Sequence, residues 1–475
     1  DRAALHVRYA DEAYAIGPNA PGESYLRIDK LLDVARRSGA DAVHPGYGFL
    51  AENGTFARAC REAGLTFIGP PPEVMALMGS KTGARRAAIA AGVPAVPGTD
   101  TPLAPDVGDD EIGEIAARVG YPVLIKAVAG GGGKGMRVAA GPDELPSAVR
   151  AARSEAASSF GDPAIYLERR LARPRHIEIQ LLADEHGTVV PFVERECSIQ
   201  RRHQKVVEES PSIAVSPDLR QQIASAAAAV ARRVGYTNAG TIEFLLDEDG
   251  KFYFLEMNTR LQVEHPVTEL VTGVDIVQWQ IRIAQGAKLT LAPVRTLAPN
   301  GHAIECRIYA EDPDNYFLPS PGRVLGLRVP AGPGIRRDDG GVTPGVEVPV
   351  FYDPLIAKLT AWGEDRPHAL ARMARALGEY EVRGIKTSIP FFRWLLADPS
   401  FQEGRFDTTT LDSLLQSRAG HPFLDVSPEE QEVALVATAL YAFERARQEP
   451  DGGQERRTPP AKGLWKMQGR LDALR

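Results

Sequence analysis

The sequence is poor in several things that would have fixed a class at once. Cysteine occurs three times in 475 residues, at Cys60, Cys197 and Cys306. So few, so scattered, they exclude a disulfide scaffold and a cysteine-built zinc cluster, and they fit a reducing, cytoplasmic setting. No run of about 18 apolar residues occurs, and the alanine-rich stretch from Ile223 to Ala231 is too short to serve, so a membrane-spanning helix is excluded. Positive charge is not in excess: 55 Lys+Arg face 62 Asp+Glu, a net charge of −7. That balance argues against a nucleic-acid polyanion as main partner. Low-complexity tracts and internal repeats are also missing. The chain opens on Asp1 with neither a methionine nor a basic and apolar leader, and reads as a fragment or processed product. What remains is ordinary for a globular protein, 44% hydrophobic and 25% charged, with length for about two to four domains.

Along the chain, helical and short strand patterns alternate first. Leu31 to Arg37 has helical spacing, while Ala42-Val43-His44 and Thr66-Phe67-Ile68 read as strands, which predicts an α/β start. Tyr121 to Ala127 is an apolar strand carrying Lys126 near its end. Further strands are expected at Ala164 to Glu168 and at His176 to Leu182. In the latter, Ile177, Ile179 and Leu181 share one face and His176, Glu178 and Gln180 the other. A helix is expected from Pro217 to Val234, with Ser216 as cap, Gly235 as stop, and Leu219, Ile223, Val230 and Val234 as its buried stripe. Ser427-Pro428-Glu429-Glu430 starts another helix running towards Arg447. Residues 449–462 read as a linker, and Gly463 to Arg475 as the opening of something further.

Four patterns carry chemistry. Gly130 to Gly133, then Lys134, Gly135 and Met136, follow the strand ending near Lys126. Consecutive glycines let backbone N–H groups approach an anion closely. The Walker spacing is not met, since no Ser or Thr follows the lysine. Glycines between two strands predict a flap over phosphates. Next, 240–245 and 252–257 read as strands joined at Asp249-Gly250. A two-residue loop there sets Glu243 opposite Glu256, a repulsive pair unless a cation lies between. With Asn258 facing the same way, the oxygens suit Mg²⁺. Third, an extended run would aim Asn258, Arg260, Gln262 and Glu264 into one site. The guanidinium and amide suit a small planar anion, and Glu264 is placed as a general base. Fourth, 196–205 is too charged for core, while Cys197 alone reads as a small buried residue.

Taken together, these residues resemble the biotin carboxylase family, the ATP-grasp component of biotin-dependent carboxylases. The resemblance runs through HPGYGFLAEN from His44, MGSK ending at Lys81, YPVLIKA with GGGGKGMRV, and PRHIEIQ from Pro174. It continues through RECSIQRRHQKVVEE from Arg195, FLEMNTRLQVEHPVTE from Phe254, and YAEDP with FLPSPG from Tyr309. About residues 1–418 are covered. The resemblance implies an ATP-grasp fold, α/β (α+β), with a Rossmann-like N-terminal domain over 1–80 lacking its first strand. An ATP-grasp domain over 81–300 would include a lid at about 98–170. A C-terminal carboxylase domain would fill 301–418, and a helix and linker 419–475.

It also implies roles. Lys81, Lys126 and His176 correspond to contacts with the ATP phosphates, and Gly131, Gly132, Gly133 and Met136 to the lid over the nucleotide. Glu168 and Leu171 lie at the adenine, and Gln200 and His203 line the nucleotide site. Glu243 and Glu256 match metal ligands, with Asn258 beside them. Lys205, Arg260, Gln262 and the Val263 backbone match a bicarbonate site, and Glu264 the base acting on bicarbonate. Arg336 matches an arginine stabilising the biotin enolate, and Tyr47 a residue near biotin. ATP, Mg²⁺ (or Mn²⁺), bicarbonate and biotin on a carrier domain are thereby implied. A homodimer is implied too, as is a partner carboxyltransferase. The carrier's own lysine between two methionines is not met by Trp465-Lys466-Met467. Two other readings compete: a carbamoyl-phosphate synthetase half, and a nucleotide-binding regulator without catalysis.

Overall fold

A computed structural model describes residues 4–99, 101–104, 106–128, 136–418, 420–423 and 428–448. Residues 1–423 form one compact unit and 424–475 a second. In the second, the helix Pro428–Gln448 exposes Val433, Val436 and Leu440. Gly130 to Gly135, Ser427 and everything after Gln448 lie outside the described residues.

In the first unit, β1 (Ala42–Val43) and β2 (Thr66–Phe67) pair in parallel. Leu50, Phe56 and Cys60 are buried beside them, packed by Ile28, Leu31 and Leu32. The helix Gly54–Glu62 begins where the Asn53 side chain accepts from the Phe56 amide. That cap leaves Glu52 just outside the helix, free to reach the backbone at Thr259.

A second, three-stranded antiparallel sheet has β3 (Val123–Ala127) between β4 (Met136–Ala139) and β5 (Ile165–Arg169). Val123, Ile125, Ile165 and Leu167 are buried against Ile112, Val149 and Ala152 of its helices. The glycine run expected to form a flap falls between β3 and β4 in the chain and lies outside the described residues.

The main sheet is antiparallel at every pairing. It contains β6 (Arg175–Ala183), β7 (Val189–Pro191), β8 (Arg195–Arg201), β9 (Gln204–Ser210), β10 (Asn238–Leu246), β11 (Phe252–Asn258), β12 (His302–Tyr309), β13 (Ile335–Asp339) and β14 (Leu355–Gly363). Their order is β11-β10-β6-β8-β9-β12-β14-β13, with β7 on β6. One face of β6 and β10 (Ile177, Ile179, Ile242, Phe244) packs on Ile223, Ala227 and Val230 of the helix Pro217–Arg233. Ser216 caps that helix through the Leu219 amide. The opposite face, with His176, Glu178 and Glu243, belongs to the site. The alternation expected for His176 to Leu182 is thus what separates core from chemistry.

Candidate active site

Three acids stand in a row across the sheet. Glu243 on β10 pairs with Glu178 on β6 and with Glu256 on β11. The hairpin reaches that register by an unexpected route. Asp247 N–H donates to Lys251 O, so three residues rather than two turn the chain. By itself this shifts every pair by one, and Phe244 indeed faces Phe254. Between Glu243 and Phe244 the register shifts, leaving Leu255 as a bulge, and Glu243 faces Glu256 after all.

Such a row requires compensating cations. Lys205, on β9, places its ammonium 2.5 Å from Glu178, 2.8 Å from Glu243 and 2.7 Å from Glu264. Burial alone would depress that ammonium; Glu178, Glu243 and Glu264 overcome it and hold its pKa well above the usual value. The buried Arg195 adds a guanidinium to Glu178, tied also to Thr268 at 2.9 Å and Thr241 at 3.0 Å. His176 Nε2 lies 3.0 Å from Glu243, and Gln200 donates its amide to His176 Nδ1 at 2.9 Å. Burial would raise Glu243, but Lys205 and His176 hold it far below the usual carboxylate range. Glu256 differs. It makes no hydrogen bond or ion pair among the described residues, and enclosure by the cleft, then Glu243, push its carboxyl up. Opposed hard-oxygen donors, one uncompensated, fit a divalent cation such as Mg²⁺.

After Asn258 the chain is not the extended strand that alternation suggested. It is an irregular loop whose last residue, Glu264, is the N-terminal cap position of the helix His265–Thr272. The polar groups still converge, because hydrogen bonds replace the pleat. Asn258 donates to Glu243 at 2.8 Å, Gln262 donates to Glu243 at 3.2 Å, and Arg260 donates to the Gln262 amide oxygen at 3.0 Å. Glu52 anchors the loop from outside, accepting from Thr259 N at 2.8 Å and Arg260 Nε at 3.0 Å. Val263 O accepts from Lys358 at 2.9 Å. Glu264 is fully buried. Burial would raise its carboxyl, but Lys205 and Arg307 hold it well below the ordinary range.

A cleft of about 840 Å³ opens over this face. From the three-stranded sheet come Lys126, Met136 and Glu168, with the Lys126 ammonium on the Glu168 carboxylate and 5.8 Å from the Tyr166 ring centroid. Lys81 opens the helix Lys81–Ala90, and burial, then Lys126, lower its pKa. Val96, Leu124, Val138, Leu171 and Leu255 make the apolar part of the wall, while Gln200, His203 and Lys205 close the other side. The shape suits a flat ring at the apolar end and an anionic chain running towards Lys126, Lys81 and the acid row.

Three family models cover the chain in sequence. Residues 1–75 match the biotin carboxylase N-terminal domain, 80–292 the ATP-binding domain of carbamoyl-phosphate synthase L chain, and 305–413 the biotin carboxylase C-terminal domain. A biotin carboxylase of Nostoc is 50% identical over 87% of this chain and 92% of its own. The chain belongs to the biotin carboxylase family. It is an ATP-dependent ligase that carboxylates biotin, forming a carbon–nitrogen bond. The carbamoyl-phosphate synthetase half and the inert regulator are set aside by the carboxylase-specific domains on either side of the shared ATP-binding one. A pyruvate carboxylase component of Methanothermobacter thermautotrophicus is 52% identical, over 87% of this chain and 83% of its own. Against the methylcrotonoyl-CoA carboxylase α-chain of Dictyostelium discoideum, 46% identical, 94% of this chain matches but only 63% of the relative. Among solved structures, the biotin carboxylase domain dimer of Hydrogenobacter thermophilus 2-oxoglutarate carboxylase, with MgADP, ADP and bicarbonate, has a TM-score of 0.82. It is 45% identical, over 89% of this chain and 91% of that one. Biotin carboxylase of Campylobacter jejuni with a nucleotide also scores 0.82, at 44% identity over 86% and 90% of the two chains.

Within the carboxylase, two residues expected near biotin are not on the cleft wall. Arg336 donates to Glu269 at 2.6 Å and to Asp338 at 2.8 and 2.9 Å, so its guanidinium is committed. Tyr47 lies under Lys358, whose ammonium is 5.7 Å from the ring centroid. Gly131, Gly132 and Gly133 lie outside the described residues. The guanidinium that lines the cleft beside Glu264 is Arg307 on β12, 2.8 Å from Glu264 and 2.6 Å from Glu208. Sequence reasoning does not find it. Its strand, HAIECRIY, looks like buried core, and an arginine unpaired in sequence gives no sign of its partner. The one available signal was its polarity at a position that had to be buried. Cys197 is buried, and burial holds its thiol well above the usual range, as a structural cysteine requires.

Proposed function

We propose that this carboxylase binds ATP between its two sheets and activates bicarbonate on the loop from Asn258 to Glu264. Lys81, Lys126 and His176 meet the phosphates, the Gly131-Gly132-Gly133 segment with Met136 closes over them, and Glu168, Leu171, Gln200 and His203 hold the nucleoside. Glu243 and Glu256 would hold Mg²⁺ (or Mn²⁺), which when bound offsets phosphate charge, with Asn258 steering Glu243. Lys205, Arg260, Gln262 and Val263 cradle bicarbonate. Glu264 takes its proton, and the resulting dianion attacks the γ-phosphorus of ATP, breaking its bond to the β–γ bridging oxygen so that ADP leaves and carboxyphosphate forms. That species releases CO₂ and phosphate, the phosphate takes the N1 proton of biotin, and the ureido nitrogen captures CO₂. Arg307 stabilises the enolate from its place beside Glu264; Arg336 and Tyr47 border the approach on the Lys358 side.

The observation that carries the reading is the shared ammonium. Lys205 joins Glu264 to the acid row, so base and cation site are one electrostatic unit. The wider assignments follow the relatives. The proposed division is 1–80, 81–300 and 301–418, with a helix and linker over 419–475; matches at 1–75, 80–292 and 305–413 support the first three. A homodimer is supported by the dimeric 2-oxoglutarate carboxylase domain. Transfer to a biotin carrier domain, then to a carboxyltransferase within an acyl-CoA carboxylase, is supported by the pyruvate and methylcrotonoyl-CoA relatives. Three buried free thiols support a reducing, cytoplasmic setting. Separately, no described helix is long and apolar enough to cross a membrane.

The test is ATP hydrolysis by the purified chain with bicarbonate and Mg²⁺, with and without free biotin. Turnover should need bicarbonate and rise with biotin. E264Q should abolish bicarbonate-dependent turnover while leaving nucleotide binding near normal; unchanged turnover would remove Glu264 from the base role.

A further inference from the structure

On the same face of the sheet as Arg307, further along from the acid row, lies a second acid pair. Glu208 on β9 stands directly opposite Glu305 on β12, and both side chains are fully buried. Each keeps one oxygen occupied: Glu208 accepts from Arg307 Nε at 2.6 Å, and Glu305 from Thr360 Oγ1 at 2.8 Å. The second oxygen of each, Glu208 Oε2 and Glu305 Oε1, has no hydrogen-bond partner among the described residues. Opposed cross-strand carboxylates repel, most of all where water cannot reach them. Glu243 and Glu256 meet the same difficulty on the wall of an open cleft, where a cation fits. Glu208 and Glu305 are sealed inside the sheet. A proton resolves the problem instead, turning one bare oxygen into a donor and removing one charge.

We infer that Glu208 and Glu305 share a proton, and that the pair acts through Arg307 as a positioning device for Glu264. The inference rests on Glu264 as the base. Arg307 spans the two, with Nε on Glu208 and its far nitrogen 2.8 Å from Glu264. While the pair holds its proton, Arg307 is drawn towards Glu264 and weakens it as a base. When the proton leaves, the added negative charge draws Arg307 back and leaves Glu264 more basic. The groups near the pair are Lys205 on β9, Arg307 and Tyr309 on β12, Cys197 on β8, Lys358 and Thr360 on β14, and Glu264 at the helix cap, with Cys306 next in the strand but turned into the core. Among them, burial pushes Glu208 up to about 8 against Arg307, and Glu305 up to about 7 against Lys358. The exchange therefore falls in the working range of the enzyme.

Two measurements test this. Infrared difference spectra of the intact chain, without substrates, should show a carboxylic-acid carbonyl band that fades as the pH rises through neutrality. In E305Q, which removes one acid of the pair and its charge from beside Glu208, the band should change in position and its midpoint should move to lower pH. The pH profile of bicarbonate-dependent ATP hydrolysis should carry an inflection near neutrality that E208Q loses. Turnover in E208Q should fall about tenfold, with KM for ATP within about twofold. A merely structural role would lower Tm and leave the profile parallel to that of the unaltered chain. No titrating acid band in the intact chain, or a parallel E208Q profile, overturns the proposal. If E208Q does not fold, the infrared titration of the unaltered chain decides alone. That readout needs no turnover, so a failed base assignment for Glu264 and a missing shared proton are separately visible.

Discussion

The ammonium of Lys205 lies 2.7 Å from the carboxylate of Glu264, with Glu264 fully buried and Lys205 largely enclosed. Two further acids, Glu178 and Glu243, compete for the same ammonium. Removing it leaves three buried carboxylates short of a cation, and breaking a buried pair from one side costs about 3–5 kcal/mol. K205M should therefore lower Tm by several degrees and cut bicarbonate-dependent turnover at least about a hundredfold. Thermal unfolding and a phosphate-release assay check the two parts.

The two arginines proposed near biotin should behave differently. Arg307 touches Glu264 and lines the cleft, whereas Arg336 is engaged by Glu269 and Asp338 away from its wall. R307Q should lose about a hundredfold or more of biotin-dependent ATP turnover. R336Q should lose much less at saturating free biotin, with its effect concentrated in KM for biotin. Equal losses in kcat would place Arg336 at the reacting atoms.

Glu256 faces Glu243 with no ion partner of its own among the described residues, and its carboxyl is raised accordingly. In metal-free buffer, E256Q removes repulsion and should leave Tm equal to or above that of the unaltered chain. With saturating Mg²⁺ and ADP the order should reverse, because a ligand stabilises only as far as it binds the folded state. Thermal shift with and without the metal separates the cases. A variant that loses Tm in both buffers would show that Glu256 holds the hairpin rather than a cation.

Stability should also depend on pH, in two windows with opposite signs. Glu243 and Glu264 are depressed in the folded chain, so what they contribute is present above the ordinary carboxylate value of 4.5 and is lost as pH falls through their folded values. Glu208 and Glu305 are raised to about 8 and about 7, so their contribution is full below 4.5 and is lost as pH rises through about 7 to 8. Denaturant midpoints should accordingly fall between mildly acid and mildly alkaline pH, and E305Q should flatten that fall.

Much of this site is legible in the sequence, for reasons that differ by residue. Alternation placed His176 and Glu178 opposite Ile177 and Ile179, since one face of a strand must be buried whatever the fold. The Glu243–Glu256 pairing was reached from a turn one residue too short, and the bulge at Leu255 supplied the missing residue. Asn258, Arg260, Gln262 and Glu264 converge, but through hydrogen bonds in a loop. Period-two spacing found the right residues without finding the conformation. Arg307 and the Glu208–Glu305 pair stayed hidden because their meaning depends on a partner on a neighbouring strand. Local sequence does not say that Glu305 will lie beside Glu208.

The bulge at Leu255 gives the hairpin two independent halves. Between the turn and Leu255, the strands pair with one offset; between Leu255 and Asn258, with another. Were Leu255 instead drawn into the ladder as a paired residue, it would face Glu243, and Glu256 would turn to the opposite face while the turn stayed intact. A residue gained or lost within 247–251 is confined to the outer half, which carries none of the acids. The spacing of the metal-facing carboxylates is thus insulated from the loop that most easily drifts in length. A single unpaired leucine keeps the phase between them.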